Sequence, residues 1–138
     1  MSNKHNYLVK DVMLGLSKFP IVDEKNILKE ALDKMDFFKL GIACIVNGNM
    51  NLLGVITDGD IRRKLLSVQK PLSAFFIDDA FNYSVKNPIS IQETDTLFNA
   101  IEIMGKEKIW DLPVLNKEDK IVGLLHLHQA INLILKDI

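Results

Sequence analysis

Thr57-Asp58-Gly59-Asp60, with Arg62 and Arg63 just behind, is the stretch of this sequence best equipped for chemistry. The apolar run Leu52 to Ile56 leads into it as a strand, and Ile61, Leu65 and Leu66 follow on one side of a helix. A strand running directly into a helix sets the helix's unpaired N–H groups and the positive end of its dipole at the strand's exit. Oxyanions are favoured at such a point. The Thr57 hydroxyl and Asp60 carboxylate can grip a ribose diol there, while free N–H groups take a phosphate. Arg62 or Arg63 can reach a phosphate or a sugar carboxylate through its fork of donors, or lie on a solvated helix face. Asp58 and Gly59 shape the turn, the glycine admitting close backbone approach. The same residue types also make a helix cap, and the two roles can coexist.

His126-Leu127-His128 is the second chemically suggestive run. Alternate positions on a strand share a face, so the two imidazoles could meet one ion. A catalytic zinc site wants three protein ligands, however. The other candidates, His5 and Cys44, lie in the opposite half with no supporting spacing, so no metal is expected. Cys44, the single cysteine, sits among apolar neighbours and reads as a core residue of a reduced protein. It has no His or acid placed beside it, and no nucleophile-elbow motif is present, so catalysis is not expected. A net charge of −1 over 138 residues, with both signs interspersed, argues against nucleic acid as a partner. No apolar run approaches the roughly 20 residues needed to span a membrane. The polar start, Met1 to Asn6, lacks a signal-peptide core, and a cytoplasmic domain is expected.

The elements that must position these residues come twice. Val9 to Met13 is a short amphipathic turn and Pro20-Ile21-Val22 an extended segment; Asn26 can cap a helix with the stripe Leu28, Ala31, Leu32 and Met35. Gly41 follows that helix. Ile42 to Val46 is a strand, Asn47-Gly48 a turn signal, and Leu52 to Thr57 the return strand. Ile77 to Phe81 then echoes Val9 to Met13, and Asp95 takes the place of Asn26. Leu28, Ala31, Leu32, Met35 and Gly54 recur as Leu97, Ala100, Ile101, Met104 and Gly123, a constant shift of 69 positions. That constancy is the mark of an internal duplication. It gives an N-terminal connector (1–8), repeat 1 (9–66), a polar linker (67–76) and repeat 2 (77–138). Neither half can bury its sheet alone, so α/β halves packed with pseudo-two-fold symmetry and two equivalent clefts are expected. In the second cleft His126 stands for Thr57, Gln129 for Asp60 and Trp110 for Gly41, so the clefts differ. Trp110 can stack on a ligand ring or plug the cleft.

A tandem strand-helix-strand-strand-helix with Gly-x-x-Thr-x-x-Asp at its last junction resembles the CBS domain pair, or Bateman module, from Val9 to the C-terminus. Gly54 to Arg63 with Val122 to His128, Leu40 to Ala43, and Lys108-Ile109 are similar to the CBS pair ending bacterial arabinose-5-phosphate isomerases, enzymes of Kdo sugar synthesis. The resemblance implies a regulatory pair binding an adenine nucleotide or a CMP-sugar, with no required cofactor. It also implies a homodimer and a sugar isomerase (SIS) domain that this sequence lacks. Its ligand wall would be Pro20, Ile21, Gly41, Ile42 and Ala43, mainly through backbone, with Thr57, Asp58, Gly59, Asp60 and Arg63 at the junction. His126, His128, Gln129 and Trp110 would line the second cleft. That family usually has Asp where this chain has Gln129, which makes the second cleft less suited to a diol. Three alternatives stay open: a module regulating a sugar nucleotidyltransferase, a dimerisation unit with empty clefts, and a small metal-dependent enzyme.

Overall fold

The computed structural model describes residues 7–136, which form two compact units. One comprises Lys18–Pro88; the other joins the chain up to Ser17 to the chain from Ile89 onward.

In the first unit, β1 (Ile21–Asp23) crosses through α1 (Leu28–Phe38) to a parallel partner, β2 (Ile42–Val46). Strand β3 (Leu52–Thr57) returns antiparallel to β2 and passes straight into α2 (Asp58–Ser67). All five residues of β2 are buried, as expected of an inner strand. The α1 stripe Leu28, Ala31 and Met35 lies in the core, and Lys39 ends the helix in the left-handed conformation. Asn26 is not the cap. Its side chain accepts the Asp23 N–H, while the Glu30 carboxylate reaches back to the Ile27 N–H at 2.9 Å. That backbone hydrogen bond, with one from Asn26, holds the Glu30 carboxyl below its ordinary range. At the predicted Asn-Gly turn, the Asn47 side chain accepts from Asn49 and Asn51, and Met50 rather than Gly48 takes the left-handed conformation. Of the predicted α2 stripe only Ile61 is buried; Leu65 and Leu66 are exposed.

The second unit repeats the plan with β5 (Ile91–Gln92), α4 (Leu97–Glu107), β6 (Asp111–Leu115), β7 (Ile121–His126) and α5 (Leu127–Lys136). Each of its helices and the β6–β7 hairpin keep the 69-residue shift. Thr96, not Asp95, caps α4, accepting the Asn99 N–H.

Compactness does not follow the repeat boundaries. The 3-10 turn Val9–Asp11 belongs to the second unit. There Val9 donates to the Asp95 carbonyl, and Leu14 and Leu124 exchange backbone hydrogen bonds. Its echo, the 3-10 turn Ala80–Tyr83, packs in the first unit, where Leu28 donates to the Asp78 carbonyl and Ala80 to that of Asn26. Strand β4 (Val85–Lys86) then joins β3 as the fourth strand. Each sequence repeat thus receives the segment lying outside its own boundary.

Residues 67–76, expected as a polar linker, contain a short helix, α3 (Leu72–Phe76), whose Phe75 is buried beside Tyr83. Asp78 ties this region together. It accepts from the buried Tyr83 hydroxyl at 2.6 Å and pairs with the Lys70 ammonium. The Lys70 and Tyr83 hydrogen bonds hold the Asp78 carboxyl below its usual value; burial and Asp78 push the Tyr83 phenol far above its own.

Two glycines admit the exchanged segments. A Cβ at Gly123 would lie 2.8 Å from the Leu14 carbonyl oxygen, and one at Gly54 would lie 2.9 Å from that of Val85. Backbone cannot swing aside as a side-chain tip can. Gly123→Ala should therefore destabilise by about 1–3 kcal/mol in urea titration, whereas Gly15→Ala, with open space around its Cβ, should not show that steric loss. A second expectation concerns acid. Because the folded-state pKa of Asp78 is depressed, its stabilisation is present above the ordinary carboxylate range and disappears as pH falls through the folded value. The urea midpoint of the native chain should drop more between about pH 5 and pH 3 than that of Asp78→Asn.

Candidate functional site

The first junction is a closed hydrogen-bonded knot. Thr57 ends β3 extended, at φ −116° and ψ 163°. Its Oγ1 accepts the Asp60 N–H at 3.2 Å and donates to Asp60 Oδ2 at 2.8 Å. The Thr57 N–H donates to the same Oδ2 at 3.0 Å, a reciprocal capping box. Arg63 folds back over the first turn: its guanidinium donates to Asp60 Oδ1 at 2.8 Å and sits beside Gly59, where a Cβ would meet it at 3.1 Å. The Asp60 side chain is 13% exposed and that of Arg63 62%. The two groups expected to grip a diol are thus each other's partners, and helix capping is one role they fill. An ionised carboxylate offers about four acceptor directions. With two bonds on Oδ2 and one on Oδ1, a direction on Oδ1 stays open beside an exposed arginine.

Gly41 and Ile42 come to this point, with Asp58 and Thr57 lying across from them. The Asp58 N–H donates to the Gly41 carbonyl at 3.1 Å, Ile42 is the register partner of Thr57, and the Asp58 carboxylate occupies the space a Gly41 side chain would fill. Ile42 and Ala43 are buried, so only their backbone can face a ligand. Pro20 and Ile21 lie farther along. Pro20 accepts from the Cys44 N–H, and the Ile21 carbonyl is taken by the Lys34 ammonium.

The second junction has the same backbone and other chemistry. Leu127 donates to the Trp110 carbonyl at 2.8 Å, as Asp58 does to that of Gly41. Trp110 is 70% exposed, which is no plug. Gln129 is exposed where Asp60 is half-buried. His126 ends the strand and His128 lies in the helix, so they do not alternate on one strand; even so, their ring centres are 6.3 Å apart. Sequence reasoning missed Asp111. It is the register partner of His126, 2.7 Å from its Nδ1, with a side chain only 9% exposed. Burial pushes its carboxyl up, against the opposing pull of the His126 hydrogen bond. The available signal was an acid opening a strand at the position Ile42 holds in the other repeat. Among the described residues, no three His, Cys, Asp or Glu side chains form a metal-binding group, and no helix is long and apolar enough to cross a membrane. A depression of about 280 Å³ lies at the opposite, hairpin end of this sheet, lined by residues including Glu93 and Glu118.

Twin β-α-β-β-α units with matching junctions define a tandem α/β repeat. The CBS domain model matches residues 9–67 and 80–136, and the chain belongs to that family. It is 36% identical over 129 residues to an uncharacterized protein of Helicobacter pylori strain J99, covering 93% of this chain and 37% of that one. It is 29% identical over 128 residues to the arabinose 5-phosphate isomerase KdsD of Francisella tularensis, covering 93% and 38%. The chain therefore spans less than two fifths of each of these relatives. The crystal structure of CBSX2, a CBS-pair protein from Arabidopsis thaliana, in complex with AMP superposes with a TM-score of 0.82 at 22% identity, covering 94% of this chain and 97% of that one.

Loss of the Thr57 hydroxyl removes a helix cap whatever else it does. Thr57→Ala should cost about 0.5–2 kcal/mol in chemical denaturation, and Thr57→Ser should recover most of it.

Proposed function

We propose that this CBS pair senses a nucleotide or nucleotide-sugar at the Thr57–Asp60 junction and regulates a sugar-phosphate isomerase of the arabinose-5-phosphate type. The observation that carries the reading is the Asp60 carboxylate, bonded twice through Oδ2 to Thr57 while Oδ1 accepts from an exposed arginine. A ribose diol donating to Oδ1 displaces or joins Arg63, whose freed guanidinium then takes the ligand's phosphate. Gly41, Ile42 and Ala43 supply backbone along the wall, with Pro20 and Ile21 beyond. Asp58 and Gly59 form the rim. His126, His128, Gln129 and Trp110 make the second junction a different and less diol-adapted site.

The isomerase assignment is supported by the likeness to KdsD over nearly the whole of this chain. The enzyme's SIS domain would lie in a longer polypeptide or a partner chain, and CMP-Kdo, the product of the pathway, is the corresponding ligand. The AMP complex of CBSX2 supports a second reading, in which the ligand is an adenine nucleotide. In either case the module works as a cytoplasmic homodimer. The ligand moves the attached enzyme only by binding one arrangement of the module better than another.

Thermal unfolding with AMP, ADP, ATP, CMP, CMP-Kdo and arabinose 5-phosphate tests this. A ligand at about a hundred times its Kd adds roughly 2.7 kcal/mol. A CMP-Kdo shift that vanishes in Asp60→Ala is the expected result, read as the ligand-induced change rather than the absolute Tm because the variant also loses its cap. A shift with adenine nucleotides alone selects the second reading. No shift with any compound overturns both and leaves an assembly unit.

A further inference from the structure

The second junction carries a buried acid that the first does not. Asp111 occupies a strand position held by Ile42 in the other repeat. A carboxylate there costs stability unless it is paired, and its partner is the His126 imidazole at 2.7 Å. With Nδ1 turned to the Asp111 carboxylate, the neutral tautomer that donates Nδ1–H there presents its Nε2 lone pair on the other side of the ring. His128, exposed on the first turn of α5, brings a second imidazole with its ring centre 6.3 Å from that of His126 and the planes inclined by 34°. A carboxylate behind one imidazole, with a second imidazole alongside, is how proteins orient ligands for transition metals.

We propose that His126 and His128 together bind a divalent first-row transition ion of the zinc, nickel or copper class, with Asp111 as the positioning residue behind His126. Imidazole ligands suit these ions and not magnesium or calcium, which take oxygen. Metal–nitrogen bonds of about 2.0–2.1 Å in tetrahedral geometry put two ring centres about 5 Å apart, so exposed His128 swings in by about 1 Å. The N-terminal end of α5 disfavours a cation; the Asp111 carboxylate supplies the opposing charge. Two protein ligands leave the remaining coordination positions to solvent.

Calorimetric titration of the untagged chain with Zn²⁺, and separately Ni²⁺, at pH 7.5 should give one saturable equivalent. His128→Ala, at an exposed position, should weaken it at least tenfold, while His5→Ala and Cys44→Ser leave it unchanged. Asp111→Asn should weaken it about 10–100-fold while the chain stays folded by circular dichroism; a merely structural role would leave the affinity of the folded variant unchanged. Absence of saturable binding up to millimolar ion overturns the proposal, as does binding that survives His128→Ala.

Discussion

Leu14 reaches β7 and Val85 reaches β3 only because Gly123 and Gly54 present no side chain at the crossing. The rest of each unit depends on that approach. It lets the opening segment of one repeat close the sheet of the other, and it anchors the 3-10 turns, just ahead of which lie the acceptors for the first N–H groups of α1 and α4. Leu28 donates to Asp78, and Leu97 to Tyr7. Orphan donors at two helix starts are thereby satisfied by chain from outside the sequence repeat. Val9 and Ala80 are fully buried because of it.

On this common frame the two strand-to-helix junctions have diverged while the backbone has not. The bond from the first helical N–H to the residue before the first hairpin strand is kept, Asp58 to Gly41 and Leu127 to Trp110. What changes is charge. The first junction carries two carboxylates and an arginine, with an Ile opposite Thr57; the second carries imidazoles, with a buried carboxylate opposite His126. Duplication therefore supplies two electrostatically distinct positions at equal backbone cost.

Much of this was legible in the residues. The 69-residue shift placed α1 and α4 and both hairpins, because apolar periodicity reports which faces are buried. Thr57 and Asp60 were legible as a junction pair, though not as a pair bonded to each other. The caps were displaced: Asn26 and Asp95 look like caps, but the backbone turns one residue later, and Glu30 and Thr96 take the duty. Residues 67–76 look like a polar linker, whereas Phe75 supplies core. Exchange of the flanking segments was not legible, because a repeat marks ancestry and not packing partners. Nor was Asp111 with His126. They are 15 residues apart, and only strand register brings them together.

The exchange also orders events during synthesis. Lys18–Pro88 is complete as soon as β4 emerges, with every partner of its sheet already made. Tyr7 to Leu14, made before that unit, must wait for Asp95, Leu97 and Leu124, made after it. Residues made before the first unit thus find their contacts only after it is complete. Through that interval Val9 remains an exposed apolar lure, which a neighbouring nascent copy can capture before the chain's own C-terminal half arrives.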